Sequence, residues 1–431
     1  MGVTEETNYD AIVIGGGPSG CAYAITLARK GYRVLVLERD RHPKFHIGES
    51  LLPYTVDMLE QLGVLPQVLA APHALKLGVE LTGVGGNAER LAFADIGEGL
   101  RPWAISLERA PLDKLLIDTA RAVGAVVREE AAVTELVFTG PRISGVRYTC
   151  AGRAETAAAR FVIDASGRAG VIARGLNLRK VDQRLRMAAV FKHFGGVVEA
   201  NNPGVQGDTQ LGMHERGWVW AIPLSDDAIS IGAVAPVEEI KRLGPETVFE
   251  NYLRATPRVR ARLEGATAIR ELSGERNFEY HADTLAGPGF FLVGDSGSFT
   301  DPMFSGGVFL GLATGKQAAE YTIECLADGL PEAVAAERYQ AFYKTGYETY
   351  FRLIHAVYDR RYPVLGYLIY DLNDGLDPKW RVRTVAGEFW AGSNPYIDRL
   401  RSQYSWDVFE KYDPLYECPV YARGSFSPSS L

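Results

Sequence analysis

The sharpest change in hydrophobic pattern lies near the N-terminus. Tyr9-Asp10-Ala11-Ile12-Val13-Ile14 is a nearly unbroken apolar run, Gly15-Gly16-Gly17-Pro18-Ser19-Gly20 interrupts it, and apolar residues return at helical spacing from about Cys21 to Lys30. A second apolar run, Val34-Leu35-Val36-Leu37, ends at Glu38. Short continuous apolar runs suit strands buried on both faces, and an amphipathic stretch between two of them suits a crossover helix. The pattern predicts a βαβ unit with Gly-x-Gly-x-x-Gly in its first turn and an acid about 20 residues further on, the arrangement that binds a dinucleotide. Gly15 allows the tight turn, Gly17 lets the backbone approach a pyrophosphate, Gly20 lets the helix pack close to the strand, and Glu38 can accept from ribose hydroxyls.

Further along, the period switches repeatedly. A polar loop, Arg39 to His46, precedes Ile47-Gly48-Glu49-Ser50-Leu51-Leu52-Pro53 and a helix from about Tyr54 to Leu62. Leu75 to Ile96 alternates as β-structure, with Gly83 to Asn87 as a hairpin tip. A helix is predicted over 113–123, stopped by Gly124, and strands follow at 125–127 and 133–137. Arg160-Phe161-Val162-Ile163-Asp164-Ala165-Ser166-Gly167-Arg168 reads as a buried strand ending in an acid and a turn, and ligands sit at such carboxyl ends. Leu185 to Ala235 alternates over a long span and predicts a large antiparallel sheet, within which Trp218 and Trp220 share one face. Val237 to Leu263 reads as helix broken at Gly244-Pro245. Phe290-Phe291-Leu292-Val293 is another buried strand, ended by Gly294-Asp295, and Asp301-Pro302-Met303-Phe304-Ser305-Gly306-Gly307 leads into a helix from about Val308. From Pro331 the chain reads as helical and tyrosine-rich, with a spacing that suits core packing. Arg360, Arg361, Arg381 and Arg383 read as solvated surface charge.

The expected architecture is therefore α/β. A Rossmann-like nucleotide domain (1–74, 105–180 and 270–330) carries an inserted antiparallel sheet on the substrate side (75–104 and 181–269), and a helical region (331–431) covers the substrate pocket. With 431 residues and 47% hydrophobic content the chain can bury a large core. A net charge of -7 argues against nucleic acid as partner. Cys21, Cys150, Cys325 and Cys418 lie far apart in no metal-type spacing, which suits reduced thiols in a cytoplasmic protein, and no metal site is expected. The start of the chain is polar and acidic, unlike a signal peptide, and no apolar run is long enough to span a bilayer.

Together the Gly15–Gly20 loop, Arg109, Asp164 to Arg168 and Gly294-Asp295 resemble the FAD-dependent aromatic hydroxylase fold, of which para-hydroxybenzoate hydroxylase is the type, over about the first three quarters of the chain. Trp218-Val219-Trp220-Ala221-Ile222-Pro223 matches the Trp-x-Trp-x-Ile-Pro signature of flavin-dependent halogenases, and the runs at 48–53 and 301–308 resemble the same group. They are most similar to the branch acting on phenols and pyrroles, often tethered to an acyl or peptidyl carrier protein. The resemblance implies non-covalent FAD, reduced by a separate flavin reductase, held through Gly15, Gly17, Pro18, Ser19, Gly20, Glu38, Arg39, Ser50, Arg109, Val133, Asp164, Gly294, Asp295, Gly307 and Val308. It implies chloride or bromide held at Ser305, Gly306 and Gly307, where backbone N–H groups at a helix start form an anion nest. Lys76 would deliver hypohalous acid to the ring, as a hydrogen-bond donor or as a haloamine, and Trp218 and Trp220 would keep substrate away from the flavin.

Three departures from the family pattern bear on specificity. Position 306 is glycine where relatives tend to carry serine or threonine, Phe304 stands where tryptophan halogenases carry a glutamate, and Asn277 lies near the place of the aspartate that joins FAD covalently in some relatives. Besides halogenation in secondary-metabolite biosynthesis, an FAD-dependent aromatic monooxygenase or dehydrogenase and a non-catalytic flavoprotein scaffold stay open at this stage.

Overall fold

The computed structural model describes residues 8–197, 205–358, 375–403, 408–409 and 411–420. Its organising element is an eight-stranded sheet in which Phe290–Leu292, Arg153–Asp164, Asn8–Ile14, Val34–Leu37 and Val126–Arg128 run parallel in that order. Val34–Leu37 and the ends of its neighbours, Ala11–Ile14 and Phe161–Asp164, are fully buried and almost wholly apolar, as a sheet covered on both faces requires. Pro18–Ala28 forms the crossover helix and Gly17 its cap, with Pro18 in the first turn where its missing N–H costs nothing. The helix expected over 113–123 begins earlier, at Arg109, which puts that arginine in the first turn.

A second, nine-stranded sheet packs beside the first. Its order is Ser298–Phe299, Ser273–Ala282, Arg179–Gly195, Ala228–Pro236, Gly217–Pro223, Thr209–His214, Gly78–Thr82 and Ala88–Ala92, with Thr267–Ala268 on the side. Ser273–Ala282 and Ser298–Phe299, both inside the segment assigned to the nucleotide domain, belong to this second sheet through pairing with Arg179–Gly195 and with each other. Alternation divides the sheet into two cores. Met187, Ala189, Phe191, Trp218 and Trp220 face the nucleotide domain, whereas Val190, Val219, Ala221, Ile231 and Ala233 lie under the helices Val237–Leu243, Pro245–Ala255 and Pro257–Ala261.

Two long helices, Gly306–Ala327 and Glu332–Tyr358, come next, followed by the shorter Lys379–Ala386 and Pro395–Gln403. The first lies against Pro18–Ala28 at glycines. A Cβ at Gly315 would stand 2.1 Å from the Ser19 carbonyl oxygen, and one at Gly311 would stand 3.6 Å from Ser19 Cβ. This close crossing seats the start of Pro18–Ala28 against the Gly311–Gly315 segment of the long helix. Among the described residues no helix is long and apolar enough to cross a membrane. Arg381 and Arg383 do not form the solvated charge expected of them: Arg381 is buried, and Arg383 Nε donates to the Ile96 carbonyl at 2.9 Å. Arg360 and Arg361 lie outside the described residues.

Candidate functional site

The first helix terminus is shaped by its own backbone. Gly15 sits at φ +109°, and a Cβ there would stand 2.3 Å from the Ala165 carbonyl oxygen, so only glycine fits between the two strand ends. A Cβ at Gly17 would meet nothing within 4 Å, which leaves the helix N-terminus open to an anion. Pro18, Ser19 and Gly20 form the first turn. Glu38 is buried and already engaged. Its Oε2 accepts from Gly16 N–H at 2.7 Å, and its Oε1 accepts from Asp40 N–H at 2.9 Å and Lys44 Nζ at 2.7 Å. A carboxylate has about four acceptor positions, so Oε2 retains one for a ribose hydroxyl. Arg39 is exposed and pairs with Asp40.

Arg109 and Asp164 are both hydrogen-bonded within the protein. Arg109 makes a bidentate pair with Asp113, both bonds 2.9 Å, and Nη1 donates to the Ile47 carbonyl at 3.2 Å. It therefore braces the loop around Gly48, whose added Cβ would lie 4.0 Å from Val308. Asp164 is buried and receives Ser166 N–H and Oγ–H on one oxygen and Ile172 and Ala173 N–H on the other. Burial raises its pKa despite these donors. Val133 lies half-buried, opposite Tyr148 in a two-strand ladder. Asp295 differs from Asp164. Among the described residues its carboxylate takes no hydrogen bond, and burial pushes it up to about 6 although Arg168, Arg109 and Arg179 pull the other way. Gly294 N–H is held by Thr314 Oγ1 at 2.9 Å.

The second helix terminus follows. Ser305 takes the left-handed region at φ +55°, and the helix starts at Gly306. Gly306 is buried and Gly307 is exposed. The Gly306 N–H points to Tyr350 Oη at 3.3 Å, and a Cβ at 306 would stand 2.6 Å from the Tyr350 ring. A Cβ at Gly307 would meet nothing within 4 Å. Asp301, which opens this loop, is buried. It accepts from Tyr358 Oη at 2.8 Å and Met303 N–H at 3.1 Å, and desolvation nevertheless pushes it up to about 7.

Lys76 is buried at 2% exposure, with Nζ 2.9 Å from Ser50 Oγ, 3.1 Å from the Leu51 carbonyl and 5.5 Å from the Phe93 ring centroid. Burial lowers its pKa to about 8, with Asp208 opposing. Ser50, expected at the cofactor, is the lysine's partner and lies 3.1 Å from Thr209 Oγ1. Thr209 begins the strand that pairs Leu211 with Trp220, which ties the lysine to the tryptophan strand. Trp218 and Trp220 are buried with ring centroids 5.6 Å apart. Trp218 Nε1 donates to Tyr358 Oη at 3.0 Å, Trp220 Nε1 donates to Ser230 Oγ at 3.1 Å, and Trp220 covers Gly232, where an added Cβ would strike the indole at 2.2 Å.

A family model described as "FAD binding domain" matches residues 8–330. A tryptophan 2-halogenase of Chondromyces crocatus is 33% identical over 356 residues, covering 81% of this chain and 67% of the relative. The solved chondrochloren halogenase, a myxobacterial variant of the FAD-dependent halogenases, is 31% identical with a TM-score of 0.77, covering 82% of this chain and 83% of that one. This chain belongs to the flavin-dependent halogenases. A 1H-pyrrole-2-carbonyl-peptidyl-carrier-protein chlorinase of Pseudomonas fluorescens is 24% identical over 424 residues, covering 91% of this chain and 92% of the relative.

The halogenase is thus an enzyme with FAD as its cofactor, and its residues fit that group. The open space at Gly17, the remaining acceptor on Glu38 and the Asp295 carboxylate, which takes no hydrogen bond among the described residues, could take a pyrophosphate, a ribose and a polyol chain respectively. Sequence reasoning missed the tyrosines of Glu332–Tyr358. Tyr339 donates to the Leu292 carbonyl at 2.6 Å, Tyr343 to Gly294 at 2.8 Å and Tyr350 to Asp301 at 3.2 Å, so their hydroxyls, read as core packing, run along the backbone that ends at the second helix terminus. Their helical spacing places them on one face, but no sequence signal says which backbone that face meets.

Proposed function

We propose that this halogenase chlorinates or brominates an electron-rich aromatic, a phenol or a pyrrole, free or tethered to a carrier protein, through Lys76. When bound and reduced by a separate flavin reductase, FAD supplies with oxygen the oxidising power that turns halide into hypohalous acid. The observation that carries the reading is the state of Lys76. Neutral, the amine has two N–H groups and one lone pair, and Ser50 Oγ and the Leu51 carbonyl accept the two N–H groups. The lone pair is left to attack the halogen of hypohalous acid: the oxygen–halogen bond breaks, one N–H proton leaves with the hydroxide as water, and a haloamine results, a route this arrangement favours over simple hydrogen bonding. With a pKa of about 8, roughly a tenth of the lysine is neutral at pH 7. Trp218 and Trp220, pinned by Tyr358 and Ser230, wall off the flavin side. Phe304, buried and apolar, suits a substrate that needs no carboxylate partner at that position, which supports the phenol and pyrrole class over free tryptophan. The whole-length match to a carrier-protein chlorinase supports the same class. The C-terminal helices close the substrate side, FAD is bound without a covalent link, and the enzyme works in the cytoplasm. Asn277 pairs with Met187 across the second sheet, and its side chain lies outside the described residues.

The test is product mass spectrometry on a panel of phenols and pyrroles, free and carrier-bound, with a flavin reductase and each halide. Lys76→Met is expected to cut halogenated product at least about 100-fold while flavin oxidation continues. A variant that keeps its product overturns the role of Lys76. In the wild type, product formation at saturating halide should rise with pH through about 8 and then level off, because the neutral amine is the reacting form. The same shift has a stability sign. The unfolded lysine holds its proton up to 10.5 and the folded one releases it near 8, so the fold gains stability as pH rises between those values. Lys76→Met should remove that slope.

A further inference from the structure

From the geometry of the second helix terminus we infer that Tyr350 is a positioning residue for the halide, one that removes Gly306 N–H from the anion nest and leaves Gly307 as the first donor. The inference rests on the halide site of the proposed function. Three observations meet at this point. The Tyr350 ring occupies the place of the side chain that position 306 lacks, since a Cβ there would lie 2.6 Å from it. The Tyr350 hydroxyl accepts Gly306 N–H at 3.3 Å and donates its own proton to the Asp301 carbonyl at 3.2 Å, so the hydroxyl has no proton left to offer an anion. Gly306 is buried beneath the ring, whereas Gly307 is exposed and faces open space.

An anion in this nest therefore meets fewer peptide donors than the loop's backbone could provide. Fewer donors penalise the smaller, more strongly hydrated chloride more than bromide, because chloride gives up more water on entering. Tyr350, from a different helix, thereby sets both halide affinity and the preference for bromide over chloride.

Tyr350→Phe keeps the ring and frees the Gly306 N–H. The expected result runs against ordinary damage: the chloride KM of the FAD-loaded enzyme falls about fivefold, kcat at saturating halide stays within about twofold, and selectivity moves toward chloride. A chloride KM that falls less than threefold, stays level or rises overturns the inference. Bromide located by anomalous scattering in crystals of the wild-type holoenzyme gives a readout independent of turnover. Bromide on Gly307 N–H with Gly306 still on Tyr350 supports the inference. Bromide bridging both N–H groups, or lying elsewhere, overturns it. The two readings fail separately. If bromide occupies the Gly307 site and no aromatic is halogenated, the proposed reaction falls and the nest stands. If product forms and Tyr350→Phe leaves the chloride KM unchanged, the nest falls and the reaction stands.

Discussion

Two glycine-rich loops in this halogenase end in helix N-termini, and they reach that geometry by different means. The loop at Gly15–Gly20 is locally complete: Gly15 is required by its own positive φ and by Ala165 across the sheet, and Gly17 is left open. The loop at Asp301–Gly307 is completed from outside. Gly306 is not in the left-handed region, and what excludes a side chain there is the Tyr350 ring. Asp301 is likewise held by Tyr358, which also takes the Trp218 N–H. The first loop leaves its helix N-terminus open without help from any other element. The second can be changed through a helix that carries none of its backbone, so the two loops can vary independently.

Substitutions at the two loops should expose that difference. The largest effect is expected at Gly15→Val, where strained φ and a clash with backbone that cannot move combine. We expect a loss of about 3 kcal/mol or more in urea unfolding, together with loss of FAD binding by fluorescence quenching. A variant that retains both would mean that the first loop is not locally determined. Gly306→Ala comes next, at about 1–3 kcal/mol, from overpacking against Tyr350. Adding Tyr350→Leu should recover most of that cost, and strict additivity in the double-mutant cycle would disconnect the helix from the loop. The smallest effect is at Ser305→Gly. Relief of the left-handed backbone at φ +55° is offset by greater freedom of the unfolded chain, which leaves a change within about 1 kcal/mol, detectable as a small shift in the urea midpoint.

Most of the nucleotide domain was legible in the pattern because its determinants are local. The apolar runs, the glycine turn and the acid at Glu38 all fall within one short βαβ stretch, and burial on both sheet faces leaves little choice of register. Trp218 and Trp220 could likewise be placed on one face from alternation alone. The roles of Arg109, Asp164 and Ser50 were harder to read, since a charged or polar residue near a cofactor loop can contact the ligand or brace the residues that do, and sequence spacing does not separate the two. Here Arg109 binds Asp113, Asp164 caps the turn after its own strand, and Ser50 holds Lys76 across 26 residues.

The chain's pattern by itself determined the fold class, the family and the presence of a dinucleotide loop, because each rests on neighbours in sequence or on a short motif. Only the tertiary structure decided that Lys76 is buried with its pKa lowered, that Glu38 is already shared with Gly16 and Lys44, and that a tyrosine 44 residues away fills the gap at Gly306. Desolvation and steric exclusion depend on what packs against a group from distant parts of the chain, and that is set when the sheets and helices come together.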